Sequence, residues 1–213
     1  MMTHRYLLFS GGNLGDWALD EVQEGDVLVG VDRGALFLLQ HGIVPAYAVG
    51  DFDSVNEAER SQIEQQVASV ASCDPVMKDL TDTEMAFRWA LTQQPTEIIL
   101  LGAVGSRLDH TLANLHLLVE AQKATVPCRI VDEKNEVLLV DGTAQIKKRR
   151  YRYVSLLPLS TQVTGITLEG FLYPLHRATL TIGQSLGISN ELLGSHGTVS
   201  VESGQLLLIQ SLD

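Results

Sequence analysis

The chain is poor in several things, and each shortage removes a class of function. Of its 213 residues only 2 are cysteines and 6 are prolines; aromatic residues make up 6% and charged residues 19%. Cys73 and Cys128 lack C-x-x-C spacing and stand in apolar stretches, so both read as buried thiols of a reducing compartment rather than a disulfide or zinc framework. Positive charge is scarce: 15 Lys and Arg face 26 Asp and Glu, a net charge of −11. A chain so acidic has no electrostatic hold on a nucleic-acid backbone or an anionic membrane. Long apolar runs are also missing. Tyr6–Phe9, near the N-terminus, is too short for a signal-peptide core or a membrane span, which makes the cytoplasm the expected location. There is no Gly-Lys pair, hence no P-loop, and Gly11-Gly12-Asn13-Leu14-Gly15 does not fit G-x-G-x-x-G, although its amides remain candidates to receive a phosphate.

What is present is a core-forming chain, 45% hydrophobic. Up to about residue 132, short apolar runs predict strands at Tyr6–Ser10, Val27–Val31, Ala46–Val49, Ile98–Leu101 and Cys128–Val131. Amphipathic stretches at 34–41, 56–69, 83–93 and 110–122 predict helices between them, with a further one around 15–21. Such alternation means a mostly parallel sheet covered on both faces, a three-layer α/β domain over residues 1–132. After Glu133 the pattern changes to seven short strands separated by turns such as Asp141-Gly142, which predicts a β-sandwich over 133–213. The basic cluster Lys147, Lys148, Arg149, Arg150 and Arg152 reads as a solvated hairpin that discourages edge pairing. The acidity belongs to the first domain: 8 basic and 18 acidic residues precede residue 131, against 7 and 8 after it.

The chemistry concentrates in acidic motifs that follow strands or open helices: Val31-Asp32-Arg33-Gly34, Gly50-Asp51-Phe52-Asp53-Ser54, Lys78-Asp79-Leu80-Thr81-Asp82, and Ser106-Arg107-Leu108-Asp109-His110. Ligands of parallel sheets bind beyond the carboxyl ends of the strands, where these motifs fall. Asp51 and Asp53, two apart, point to one side of an extended segment. Carboxylates gathered this way call for a cation or a raised pKa, and Mg²⁺ suits oxygen ligation shared with substrate phosphates. Arg33, Lys78 and Arg107 are candidate phosphate partners, or else ion-pair partners of the same aspartates. Each Asp also has a structural alternative: Thr81-Asp82-Thr83-Glu84 is a capping box, and Asp109 is a possible N-cap for a helix from His110. Trp17 and Trp89 read as core residues.

Taken in order, with Gly187-Ile188-Ser189-Asn190-Glu191 added, these motifs resemble the thiamine pyrophosphokinase (thiamine diphosphokinase) family in its bacterial form. The resemblance implies an N-terminal nucleotide-binding catalytic domain, a C-terminal thiamine-binding sandwich, and a homodimer with thiamine sites at the interface between one subunit's N-terminal and the other's C-terminal domain. It implies transfer of the diphosphate of ATP to the thiamine hydroxyl, giving thiamine diphosphate and AMP, with Mg²⁺. Asp51, Asp53, Asp82 and Asp109 match the family's metal- and diphosphate-handling acids; a carboxylate not fully used by the metal, Asp82 or Asp109, is the expected acceptor of the hydroxyl proton. Asp32, Arg33 and Gly34 match nucleotide-contacting positions, as do Arg107 and Asn114, with Lys78 a nucleotide-binding candidate on its charge; Ser189 and Asn190 match the thiamine-side loop. No aromatic residue stands in that loop, so an aromatic wall for thiamine has to come from elsewhere. Tyr173 and Leu175, around Pro174, are candidates for facing a partner. The rival readings are a diphosphokinase of another small alcohol such as hydroxymethylpterin, a non-catalytic nucleotide or thiamine sensor, and a Mg²⁺-dependent phosphohydrolase.

Overall fold

The computed structural model describes residues 4–72 and 80–213. Cys73 and Lys78 fall outside the described residues. Contacts within the chain divide it into two units, Met1–Glu133 and Lys134–Asp213.

In the first unit the strands are β1 (Arg5–Phe9), β2 (Val27–Val31), β3 (Tyr47–Gly50), β4 (Val70–Ser72), β5 (Glu97–Leu101) and β6 (Cys128–Val131). They pair in the order β4-β3-β2-β1-β5-β6, every pair parallel. Between them run α1 (Arg33–Gln40), α2 (Glu57–Gln66), α3 (Asp82–Thr92) and α4 (Leu108–Lys123). The apolar runs that predicted five of the strands are continuous because a parallel sheet covered by helices buries both faces: Leu7, Leu8 and Phe9 of β1 and Ile98 to Leu101 of β5 are inaccessible to solvent. Leu38 of α1 packs with Leu7, Phe9, Ile99 and Leu101. On α3, the half-buried Trp89 stacks on Tyr47 at 4.1 Å and meets the edge of Tyr6 at 5.9 Å, packing at the margin of the core. β4 was not expected, because Val70-Ala71-Ser72 is too short to show a period. The segment after β1 forms a six-residue 3-10 helix, Asp16–Glu21.

The two edges of this sheet treat charge differently. At the end where the strands begin, Arg5 pairs with Asp26 at 2.6 Å, and Arg129 pairs with Glu21 at 2.8 Å and Glu97 at 3.0 Å. The acids there are balanced. In β6, burial of the sulfur pushes the Cys128 thiol up, away from the reactive thiolate.

The second unit holds β7 (Asn135–Val140), β8 (Thr143–Lys147), β9 (Tyr153–Pro158), β10 (Gln162–Glu169), β11 (Ala178–Thr181), β12 (His196–Ser200) and β13 (Leu206–Ser211). β13 runs antiparallel between β7 and β9, and a four-stranded antiparallel sheet has the order β11-β10-β12-β8. Val140, Leu156 and Leu208 of the first set share a buried cluster with Ile146, Val163, Ile166 and Val199 of the second, which makes a sandwich. The hairpin expected around the basic cluster is corrected. β8 and β9 belong to different sheets, so residues 148–152 cross between layers; the basic side chains are exposed to solvent as expected, and two of them also pair with acids. Arg149 reaches the buried Glu136 carboxylate at 3.3 Å, and Arg152 reaches Glu191 at 3.2 Å.

Candidate active site

The strand order reverses between β1 and β5: from β1 the chain builds β2, β3 and β4 on one side, then β5 and β6 on the other. That switch opens a crevice at the carboxyl ends of the strands. A cleft of about 650 Å³ lies there, lined among others by Ser10 after β1, Asp32 after β2, Asp51 after β3, Thr81 and Asp82 at the start of α3, Gly102 and Ala103 after β5, and Arg107 and Asn114 of the α4 region.

Asp32 is pinned from both sides. Its N–H donates to the Val49 carbonyl at 2.9 Å, and its carbonyl accepts from Ala35 N–H at 3.0 Å, which starts α1. The result is a positive φ of 51° in a non-glycine residue, costing about 1 kcal/mol or more. Asp32 Oδ2 accepts from the Ser54 hydroxyl at 2.5 Å, while Oδ1 is buried with no hydrogen-bond partner. Burial raises its pKa, and the like charges of Asp82, Asp51 and Asp53 raise it further against the opposing Ser54 bond.

Asp51 and Asp53 do share a side, though not through an extended backbone. β3 ends at Gly50, Asp51 Oδ1 accepts the Asp53 N–H at 3.0 Å, and Phe52 between them takes a φ of 56°. The buried Phe52 ring packs with Leu36, Ile63 and Val67 and so turns its two acidic neighbours outward. Oxygens of Asp32, Asp51 and Asp53 all lie within 4.8 Å of one another. At an effective dielectric of 20, each such pair repels by about 3 kcal/mol before solvent screening. Three carboxylates offering hard oxygen donors, one of them with an orphaned oxygen, fit a divalent cation such as Mg²⁺.

The other acids are placed differently. Asp82 opens α3 and lines the cleft. Only half of its expected capping box forms: Thr81 Oγ1 accepts Glu84 N–H at 3.2 Å, but the Glu84 carboxylate pairs with Arg88 at 2.8 Å. Asp109 is not an N-cap, since α4 starts at Leu108. Its exposed carboxylate is held by Arg107 at 2.6 Å, and that hydrogen-bonded pairing brings its pKa down to about 2. It is not one of the three clustered acids.

Arg33 faces a second cavity of about 480 Å³, which it lines with Phe37, Gln40 and the Gly11–Leu14 segment. A Cβ on Gly34 would lie 1.7 Å from the Phe9 carbonyl oxygen, so close packing of α1 on β1 by itself accounts for that glycine. Asn114 is buried and donates from Nδ2 to the Ala103 carbonyl at 2.7 Å, tying α4 to the loop after β5. Two amides of the glycine segment are already used within the protein: Gly12 N–H donates to Gly102 at 2.9 Å and Asn13 N–H to Val104 at 3.3 Å. These amides are occupied by the neighbouring loop.

In the second unit Ser189 is exposed, with a φ of 58° and its N–H donating to Ser155 Oγ at 3.0 Å. Asn190 is buried. Its Oδ1 accepts from Tyr173 N–H at 3.0 Å and Glu191 N–H at 2.9 Å, and its Nδ2 donates to the Tyr173 carbonyl at 2.7 Å. Tyr173 itself is 63% exposed, an aromatic ring on a backbone fastened from both sides. Its position between Gly170 and Pro174 marked a loop, but the tie to Asn190 could not be read from spacing.

Comparison with known proteins identifies the family and the fold. Residues 19–130 match the family model described as thiamin pyrophosphokinase, catalytic domain, and residues 143–206 match thiamin pyrophosphokinase, vitamin B1 binding domain. The thiamine pyrophosphokinase of Bacillus subtilis (strain 168) is 41% identical over 192 residues, covering 89% of each chain. A crystal structure of a Bacillus subtilis thiamine pyrophosphokinase superimposes with a TM-score of 0.91 at 38% identity, covering 98% of this chain and 99% of that one. The yeast enzyme, at 13% identity and a TM-score of 0.78 over 99% of this chain and 87% of its own, shares the fold. With two family models matched along its length and a relative this similar across nearly nine-tenths of it, the chain belongs to the thiamin pyrophosphokinase family.

Proposed function

We propose that this enzyme transfers the diphosphate group of ATP to the hydroxyl of thiamine, giving thiamine diphosphate and AMP in a Mg²⁺-dependent reaction. The observation that carries the reading is the trio Asp32, Asp51 and Asp53, with its orphaned oxygen, in a cleft at the switch point of a parallel sheet. These three carboxylates would hold the metal. A bound Mg²⁺ supplies charge neutralisation for the transferred phosphates and fixes them in place. In the transfer the thiamine oxygen bonds to the β-phosphorus, the bond from that phosphorus to the α–β bridging oxygen breaks, and AMP leaves. The hydroxyl proton passes to Asp82. Asp109, its carboxylate stabilised by Arg107, is a weak base, and the pair instead sets Arg107 at the cleft to meet phosphate oxygens. Asn114 shapes the loop after β5 from behind.

The first unit thus serves the nucleotide and the second thiamine. Ser189 presents its exposed hydroxyl, and Tyr173 offers the missing aromatic wall to the cationic thiazolium. A second copy of the chain is the partner in this reading: exposed Leu108 and Leu112 on α4, and Leu172, Leu186 and Leu193 in the second unit, are apolar surface that a homodimer would cover. The cytoplasm is the proposed location, and among the described residues no helix is long and apolar enough to cross a membrane.

Incubation with ATP, Mg²⁺ and thiamine tests the reaction. AMP forming only when thiamine is present is expected. ADP formation, thiamine-independent release, or preferential use of hydroxymethylpterin would each replace the reading with a rival. Tyr173→Ala is expected to raise the KM for thiamine about tenfold, close to 1.4 kcal/mol, with Tyr173→Phe near wild type. A thiamine KM unmoved by Tyr173→Ala removes the ring from the site.

A further inference from the structure

The motif containing Ser189 and Asn190 is the part of the thiamine side that the sequence singles out, yet the two residues are built differently. Ser189 is exposed; Asn190 is 6% exposed and spends its carboxamide inside the protein. An asparagine side chain can make four hydrogen bonds, two accepted and two donated. Three of them are made here, two to the N–H and carbonyl of Tyr173 and one to Glu191 N–H. The Asn190 backbone is fixed as well, exchanging hydrogen bonds with Val154 at 2.8 and 2.9 Å, and Leu172 N–H reaches the Glu191 carbonyl at 2.8 Å. Two loops, 170–175 and 187–193, are therefore locked together, by backbone hydrogen bonds at Gly170 and Leu172 and, at Tyr173 itself, by one buried amide beneath an exposed aromatic residue.

We infer that Asn190 is a positioning residue for thiamine: it fixes the Tyr173 peptide, and through it the ring, without touching the substrate. The inference rests on the reading of Tyr173 as the aromatic wall. The side chain imitates a backbone strand partner, pairing with both polar groups of one residue, and so sets the direction of the Cα–Cβ bond that aims the ring.

A double-mutant cycle on the full-length enzyme tests this. Asn190→Ala is expected to raise the thiamine KM about fivefold to tenfold while kcat at saturating thiamine and the KM for ATP change less than about twofold. In a Tyr173→Ala background the same substitution is expected to change the thiamine KM less than about twofold. Equal effects of Asn190→Ala in both backgrounds overturn the inference, because the amide then acts on thiamine directly. A wild-type thiamine KM in Tyr173→Ala alone instead overturns the reading of the ring, a separate outcome. Should Asn190→Ala fail to fold, hydrogen exchange on the unmodified enzyme decides: the Tyr173 amide is expected to exchange about 100-fold slower than an unstructured one, in spite of its exposed side chain. Unprotected exchange there overturns the inference.

Discussion

Asp32→Asn is expected to lower turnover at least 100-fold and to weaken Mg²⁺ binding in parallel, while raising the melting temperature of the metal-free protein. The two effects have one origin. Asp32 contributes a carboxylate with one buried, unpaired oxygen, and it stands in a cluster whose Asp32, Asp51 and Asp53 oxygens lie within 4.8 Å of one another. Loss of groups that merely support a metal ligand typically costs about 10–100-fold, so loss of a ligand exceeds that. Without metal the same carboxylate is a liability. Its pKa is raised on folding by burial and by its acidic neighbours, so the folded state binds its proton more tightly than the unfolded chain does. Its contribution is therefore most favourable below the ordinary carboxylate range and is lost as pH rises through the raised pKa. Asparagine removes that loss. Turnover, calorimetric Mg²⁺ titration and thermal melts at pH 7 without metal check the prediction. A variant that melts higher but binds Mg²⁺ normally would return Asp32 to the nucleotide-contacting role that its motif suggested.

Gly34→Ala separates packing from binding at the neighbouring position. The added methyl would stand 1.7 Å from the Phe9 carbonyl oxygen and 3.2 Å from the Phe9 Cβ. Neither backbone can yield without moving α1 off β1, so a loss of about 3 kcal/mol is expected. For a unit of this size that lowers the melting temperature by roughly 10 °C. The helix carries Arg33 and follows directly on Asp32, so activity falls with stability. If the metal-free variant melts like wild type and only the KM for ATP rises, Gly34 is a nucleotide contact and not a packing requirement.

Much of the first unit was legible because burial on both faces of a parallel sheet leaves uninterrupted apolar runs, and Val27–Val31 and Cys128–Val131 are strands over those very residues. The seven strands of the second unit announced themselves through alternation and turns. Their pairing did not. The turn at Asp141-Gly142 and the basic segment before β9 look like hairpin connections, but each joins strands of opposite sheets, a distinction that depends on partners far along the chain. The same limit governs the site. Asp51 and Asp53 were recognisable as a pair because a turn needs only one such residue, and here Asp51 makes the turn and Asp53 is spare. That Asp32 joins them follows from β2 lying beside β3, which no local pattern records. Asp109 was misread as a possible cap because the helix begins at Leu108, two residues before His110, and its ion pair with Arg107 was only one of two readings for that arginine. The motif around Ser189 and Asn190 was legible, but Tyr173, seventeen residues before Asn190, is tied to it by tertiary hydrogen bonds alone.

The position of β1 between β2 and β5 also sets when activity can arise during folding. β1 pairs on one side with a strand that follows it closely, but on the other Tyr6 lies beside Ile98. Closing that pairing waits for nearly half the polypeptide, and long-range parallel pairing is slow. During synthesis the first four strands emerge before the one that completes the crevice, so Ser10 and Gly11 have no opposite wall until Gly102 and Ala103 arrive. The acidic trio, by contrast, needs only β2, β3 and their loops. A cation captured at that stage would quiet the mutual repulsion of the three carboxylates, and binding the compact form in preference to the open chain would draw the fold toward completion by mass action.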